Sequence, residues 1–218
     1  MAKKQYYEYK SDAIRVRYEP RRCIHAAECV KGAPDVFDRH SRPWIQPESG
    51  AADAVADVVM QCPTGALHFE RLDEGASGSA SRDARARVIP DGPIYIQGRL
   101  MLDRPDGSRL PENRLALCRC GASENKPFCD GSHERVGFSD RGGLGNVSMA
   151  PVADETDGEL VLTPMKDGPV LFQGALAITG STGDGPQSHS KGALCRCGAS
   201  QNKPYCDGSH RTAGFEAD

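Results

Sequence analysis

Six of the nine cysteines in this 218-residue chain fall in two copies of one phrase. The first runs Cys118-Arg-Cys120-Gly-Ala-Ser-Glu-Asn-Lys-Pro-Phe-Cys129-Asp-Gly-Ser-His133, the second Cys195-Arg-Cys197-Gly-Ala-Ser-Gln-Asn-Lys-Pro-Tyr-Cys206-Asp-Gly-Ser-His210. Fourteen of the sixteen positions match, and each copy carries three thiols and one imidazole at identical spacing. That donor set makes a soft, four-coordinate site suited to zinc or to an iron–sulfur cluster.

The other three cysteines are Cys23 and Cys29, with His25 between them, and Cys62, which is followed by Pro63. Clustered cysteines in an odd total read as ligands rather than as a disulfide framework. The alternative for this trio is a small α/β domain with buried free thiols.

Around these residues the chain divides into residues 1–72, a small, polar and charged stretch at 73–88 with linker composition, a first repeat at 89–140, a connecting segment at 141–166 and a second repeat at 167–218. The duplication is wider than the cysteine phrase. Asp91-Gly-Pro-Ile-Tyr-Ile-Gln97-Gly98 is echoed by Asp167-Gly-Pro-Val-Leu-Phe-Gln173-Gly174, and both copies close with Gly-Phe, at Phe138 and Phe215. Two copies of this length point to a paired module rather than a solenoid. Short β-prone runs at Ile94–Ile96, Leu115–Leu117, Leu160–Leu162, Val170–Phe172 and Leu176–Ile178, broken by Gly and Pro, predict a small β-structure. One helical turn is expected at each Cys-Asp-Gly-Ser-His, with Asp130 and Asp207 as N-caps and the positive end of the turn facing the site. In the first domain Ile14–Tyr18 alternates like a strand, and residues 51–61 place Val55, Val58, Val59 and Cys62 on one helical face.

Composition narrows the function classes. A formal net charge of −3 argues against a general binder of nucleic acid or of membrane surfaces. With 38% hydrophobic and 6% aromatic residues, no single large core is expected, a shortage that metal-bound small domains tolerate because ligand binding supplies folding free energy. No leader-like or membrane-spanning apolar run is present, so a reducing, cytoplasmic compartment is expected. Nucleophile-elbow, Walker and dinucleotide motifs are absent.

The phrase Cys-x-Cys, eight residues, Cys-Asp-Gly-Ser-His resembles the CDGSH iron–sulfur family, whose eukaryotic members include mitoNEET. The resemblance covers roughly the last 130 residues. It implies one [2Fe–2S] cluster per motif in a compact β-rich fold, with Cys118 and Cys120 on one iron and Cys129 and His133 on the other, and likewise Cys195 and Cys197 with Cys206 and His210. Familiar mitoNEET members carry one motif, dimerise and have a membrane anchor. Two motifs without an anchor imply an intrachain pseudo-two-fold dimer and no membrane attachment. The region from Arg15 to Arg71 resembles the divergent single-cluster ferredoxins, with Ala26 where bacterial-type ferredoxins place their middle cysteine. Cys23, Cys29 and Cys62 then suit a [3Fe–4S] cluster, or a [4Fe–4S] cluster completed by His25, water or an exogenous ligand.

A histidine ligand removes one negative charge relative to thiolate. Two histidines raise Rieske centres to roughly −150 to +300 mV, against about −400 mV for all-cysteine plant-type clusters, so one is expected to fall between. The expectation is therefore an α+β, non-enzymatic electron-transfer protein: a small ferredoxin-like domain, then a β-rich tandem unit. Its partner would be an unidentified redox protein, and a monomer is expected rather than an obligate oligomer. The alternatives are delivery of clusters to an apo-protein acceptor, redox or iron sensing, or a zinc-holding interaction module.

Overall fold

The computed structural model describes residues 6–76, 81–146, 159–183 and 185–218. The chain separates into two compact units, parting between residues 79 and 80.

In the first unit three antiparallel strands, β1 (Tyr7–Lys10), β2 (Ile14–Tyr18) and β3 (Leu67–Arg71), lie in the order β1-β2-β3. The alternation of Ile14 and Val16 puts both side chains in the core, while Arg15 and Arg17 pair outward with Glu70 and Glu8. A short helix α1 (Glu28–Gly32) and the longer α2 (Ala52–Met60) accompany the sheet. Val55, Val58 and Val59 are buried, as the helical spacing predicts, and they pack with Ile14, Val16, Phe37, Ile45 and Leu67. Trp44 meets the Tyr18 ring edge-on at 4.9 Å, a core role.

The second unit is a six-stranded sheet: β4 (Ala84–Val88), β5 (Ile94–Asp103), β6 (Arg109–Leu117), β7 (Leu160–Pro164), β8 (Val170–Thr179) and β9 (Gln187–Leu194). Two boundaries differ from the sequence expectation. The linker assigned to 73–88 contains β4, because Ala84, Ala86 and Val88 point inward between exposed arginines, and small alanines hide the alternation in a charged stretch. The connecting segment assigned to 141–166 contains β7, which belongs with the second repeat's strands; residues 147–158 of that segment lie outside the described residues.

Strand exchange joins the repeats. The first half of β5 pairs antiparallel with β4, but its second half pairs parallel with β7 of the other repeat. Reciprocally, β8 pairs antiparallel with β7 through its first half and parallel with β4 through its second. The changeover coincides with a register irregularity between Gln97 and Leu100, and another between Gln173 and Leu176. Gly98 and Gly174, expected to break the strands, sit at these shifts instead. A β-carbon on Gly98 would stand 2.7 Å from the Ala84 Cα, and one on Gly174 2.5 Å from the Glu159 carbonyl oxygen, so only glycine lets the neighbouring strand pass. The core fills from both repeats, including Ile94, Leu100, Leu115, Leu160, Phe172 and Ile178.

Candidate metal centres

Each repeated phrase hangs from the end of a strand. β6 runs straight into Cys118 and β9 into Cys195. The chain then loops back so that Phe128 bridges Leu117, and Tyr205 bridges Leu194. Four ladder bonds fix this return: Cys118 N–H to the Pro127 carbonyl (2.9 Å), Cys129 N–H to Ala116 (2.8 Å), Cys195 N–H to Pro204 (2.9 Å) and Cys206 N–H to Ala193 (2.9 Å). The third cysteine of each phrase is thereby held beside the first two.

The donors come together as pairs. Cys118 and Cys120 have their sulfurs 3.6 Å apart, and Cys129 Sγ lies 3.3 Å from His133 Nδ1. In the second copy the distances are 3.6 Å for Cys195 and Cys197 and 3.4 Å for Cys206 and His210 Nδ1. Among the described residues no three His, Cys, Asp or Glu side chains are grouped closely enough to hold a single metal ion. Two close donor pairs, rather than four donors on one point, fit a dinuclear group with one pair on each metal.

The electrostatics agree with that demand for cations. The hydrogen bond shared by Cys118 and Cys120 lowers the Cys120 pKa to about 7 and, with burial, raises that of Cys118. Burial pushes the Cys129 thiol up to about 12 and raises Cys195 and Cys206 as well. Buried thiols that resist ionisation without a cation give up their protons on metal binding. Backbone amides already point at sulfur: Ala122 N–H at Cys120 (3.4 Å), Gly131 N–H at Cys129 (3.5 Å) and Gly208 N–H at Cys206 (3.4 Å).

The helical turn expected after each third cysteine exists as α3 (Ser132–Arg135) and as a 3-10 turn at Ser209–Arg211. The N-cap position belongs to Gly131 and Gly208, in the left-handed region, not to the aspartates. Asp130 bridges instead, taking Ser132 N–H at 3.0 Å and Glu124 N–H at 2.8 Å; Asp207 does the same with Ser209 and Gln201. The Ser209 hydroxyl and these amides hold the Asp207 carboxyl well below the usual range. So short a turn brings little dipole, and the direct amide contacts to sulfur replace it. Lys126 and Lys203 tie down their own loops by donating to the Ser123 and Ser200 carbonyls.

Sequence reasoning missed the arginines inside Cys-x-Cys. Arg119 and Arg196 are among the most deeply buried side chains. Arg119 donates to the Gly92 and Ile89 carbonyls and pairs with Asp140 at 2.6 Å; Arg196 donates to the carbonyls of Gly168, Met165 and Asp218. The available signal was their identical place in both copies. The ligand loops also touch, Gly121 against Cys197 and Gly198 against Cys120.

In the first unit Cys23 follows a 3-10 turn after β2, Cys29 opens α1, and Cys62 stands in the turn from α2 to β3. Buried Arg22 draws two of these together by donating to the Thr64 carbonyl at 3.0 and 3.2 Å. The three cysteines line one open pocket with His25, Ala26 and Trp44. His25 and Ala27 take positive φ of 58° and 64°, so the chain coils tightly around Ala26. Burial, with Cys62 and Cys23 nearby, raises the Cys29 thiol to about 11, and burial, with Cys23 beside it, pushes the Tyr18 hydroxyl up. His40, His68 and His189 lie outside both kinds of site.

A pocket of converging thiols in one unit and paired Cys/His donors in the other describe a protein built to hold metal through sulfur. Family models agree: a divergent 4Fe-4S mono-cluster domain matches residues 9–71, and an iron-binding zinc finger of CDGSH type matches residues 91–134 and 167–211. The chain belongs to these iron–sulfur families, joining one mono-cluster domain to two CDGSH domains. Among curated proteins it is similar to the uncharacterized protein YjdI of Escherichia coli K12 and its counterpart in the O157:H7 strain. Each is 33% identical over 61 residues, which is 28% of this chain and 80% of the relative. No solved structure matches. No helix among the described residues is long and apolar enough to cross a membrane.

Proposed function

We propose that the chain is an electron carrier with three centres. In each repeat the first two cysteines hold one iron of a [2Fe–2S] cluster, and the third cysteine and the histidine Nδ1 hold the other. The observation that carries this is the split of each donor set into two bite pairs of 3.3–3.6 Å. A single zinc ion would need all four donors around one point. When bound, such a group supplies one-electron chemistry. The residues around it fix its charge through one imidazole per site and through amides aimed at sulfur. The reciprocal strand exchange supports reading the repeats as an intrachain pseudo-dimer.

The first unit, read as ferredoxin-like, would hold a [3Fe–4S] or [4Fe–4S] cluster on Cys23, Cys29 and Cys62, with the remaining corner at Ala26 open to His25 or an exogenous ligand. Electrons would pass from this centre to the repeated pair and on to a redox partner protein. The carrier would act without catalysing a reaction of its own, in the cytoplasm.

Iron and acid-labile sulfide analysis of anaerobically purified protein, with EPR of oxidised and reduced samples, tests this reading. A reduced [2Fe–2S] signal is expected, with an oxidised [3Fe–4S] or reduced [4Fe–4S] signal beside it. Zinc without sulfide would overturn it and leave an interaction module. Stopped-flow reduction tests transfer between centres, which fails if they never exchange electrons within seconds.

A second reading is favoured by the partial exposure of His133 and His210. An accessible imidazole ligand is a weak point from which a cluster could be released to an apo-protein. Transfer to an apo-ferredoxin under mild acid would support delivery over electron carriage.

A further inference from the structure

The outer face of the six-stranded sheet is cationic in one repeat and neutral in the other. The pairing registers align the halves: Arg85 is opposite Gln97 and Arg87 opposite Tyr95 across β4 and β5, as Val161 is opposite Gln173 and Thr163 opposite Leu171 across β7 and β8. Arg99 follows Gly98 as Ala175 follows Gly174. Arg85 and Arg87 alternate outward between the buried Ala84, Ala86 and Val88, and Arg99 is exposed on the neighbouring strand. Lys191, opposite Gln173, is matched by Arg114, opposite Gln97, so the three exposed arginines are what the two halves do not share.

These arginines stand in line with the first repeat's ligands. Residues opposite one another on paired antiparallel strands share a face. Arg87 is opposite Tyr95, Tyr95 is opposite Ala116, and the Ala116 carbonyl accepts from Cys129 N–H at 2.8 Å, so one row crosses four chain segments from Arg87 to Cys129. Three strand spacings make that about 14–15 Å. The counterpart row, Thr163, Leu171, Ala193 and Cys206, holds no cation. Arg87 lies over the Tyr95 ring at 5.8 Å, which holds its guanidinium against the face. No carboxylate among the described residues forms a salt bridge with Arg85, Arg87 or Arg99. Asp83 and Asp103 lie toward the far end of these strands, and Asp103 is already paired with Arg109. A chain of formal net charge −3 thus gathers unneutralised positive charge beside one of its two like sites.

We propose that the outer face of β4 and β5 docks an acidic one-electron carrier protein and brings it to the centre held by Cys118, Cys120, Cys129 and His133 rather than to its twin. This rests on the iron–sulfur reading above. One electron passes between the partner's redox group and that centre, oxidising one as it reduces the other, and no bond forms or breaks. Complementary charge acts mainly on encounter, where steering raises association rates by about 10–10³-fold and fades as salt rises. The overall negative charge disfavours nucleic acid and anionic membranes, whose fields reach the whole molecule, whereas a small acidic protein meets this face alone.

The test mixes a reduced acidic plant-type ferredoxin, as probe, with the oxidised full-length chain in stopped flow. The second-order rate for wild type should fall steeply with salt. Arg85→Glu combined with Arg87→Glu should slow it about tenfold or more at low salt and remove most of the salt dependence. Lys166→Glu combined with Lys191→Glu makes the same charge change at exposed positions of the second repeat and should leave the rate nearly unchanged. Equal slowing by both pairs, a wild-type rate indifferent to salt, or an arginine pair that reacts like wild type overturns the proposal. An arginine pair that loses binding to single-stranded RNA or phosphatidylserine vesicles while keeping its ferredoxin rate overturns it too, and reassigns the face. Should the glutamate pair fail to fold, Arg85→Gln combined with Arg87→Gln decides in its place. Calorimetric titration with the oxidised ferredoxin reads docking without electron transfer: weaker binding in the arginine pair alone is expected, and no difference between the pairs overturns the face. Zinc without sulfide would sink the iron–sulfur reading while that titration still decided the docking, so the two failures are distinct.

Discussion

The backbone of Gly121 rests on that of Cys197: a β-carbon on Gly121 would stand 2.5 Å from the Cys197 carbonyl oxygen, and one on Gly198 2.7 Å from that of Cys120. Both glycines have φ of +81°, so a side chain would be strained even with room to fit. Gly121→Ala should cost about 1–3 kcal/mol of stability. Because its neighbour is the other site, the variant should lose cluster absorbance at both repeats. Thermal unfolding with visible spectroscopy checks this, and loss confined to the first repeat would contradict the contact.

Exchanging imidazole for thiolate adds a negative charge at a site whose sulfurs already share one. His133→Cys combined with His210→Cys should lower the potential of both repeated centres toward the about −400 mV of all-cysteine plant-type clusters. Spectroelectrochemistry measures the shift; an unchanged potential would mean that neither histidine is a ligand.

Tyr18 offers a separate handle on the first unit. Its hydroxyl lies beside Cys23, where it can donate to the sulfur, and a donor on sulfur stabilises the reduced state. Tyr18→Phe keeps the edge-on contact with Trp44 and removes only the donor. The N-terminal centre should drop in potential while the repeated centres stay put. Stability should fall by about 0.5–1.5 kcal/mol, the net value of one hydrogen bond.

His189 couples folding to pH. Tyr205 donates to Gln187 at 2.8 Å, so the hydroxyl can accept only from His189 Nε2–H, at 2.9 Å. Nδ1 is then a buried acceptor with no partner, and burial lowers the pKa of the imidazole. With the folded pKa below the unfolded value of about 6.5, the unfolded chain binds the proton more readily. This contribution to stability is complete above the unfolded pKa and is lost as pH falls through the folded one. His189→Leu should flatten that part of the acid limb in denaturant titrations between neutrality and mild acid. An identical slope in the two proteins would remove His189 as the cause.

Much of this was legible in the chain. The spacing of Val55, Val58 and Val59 gave α2, and the alternation of Ile14 and Val16 gave β2, because each pattern buries one face regardless of context. The pairing of Cys118 with Cys120, and of Cys129 with His133, follows the repeated phrase. β4 was hidden because Ala84 and Ala86 carry too little apolar surface to outweigh Arg85 and Arg87, and its place depends on β8, whose paired residues are far away in sequence, Ala84 meeting Leu176. Arg119 and Arg196 were passed over because a guanidinium reads as solvent-facing until the carbonyls that satisfy it are in view. All of them but that of Asp218 come from turns roughly thirty residues earlier, a relationship no local pattern encodes. Asp130 was given the wrong role for a related reason: its second partner, Glu124, lies on the far side of the loop.

The strand exchange carries a consequence for how such a molecule can vary. In an assembly of two identical chains every substitution is made twice, and a change that helps one side is imposed on the other. Here β4 and β7 each complete the sheet of the opposite repeat within one continuous polypeptide, so a substitution falls on one side alone. The buried arginines show that freedom used: Arg119 in the first repeat pairs with Asp140, while Arg196 in the second donates to the carbonyls of Gly168, Met165 and Asp218.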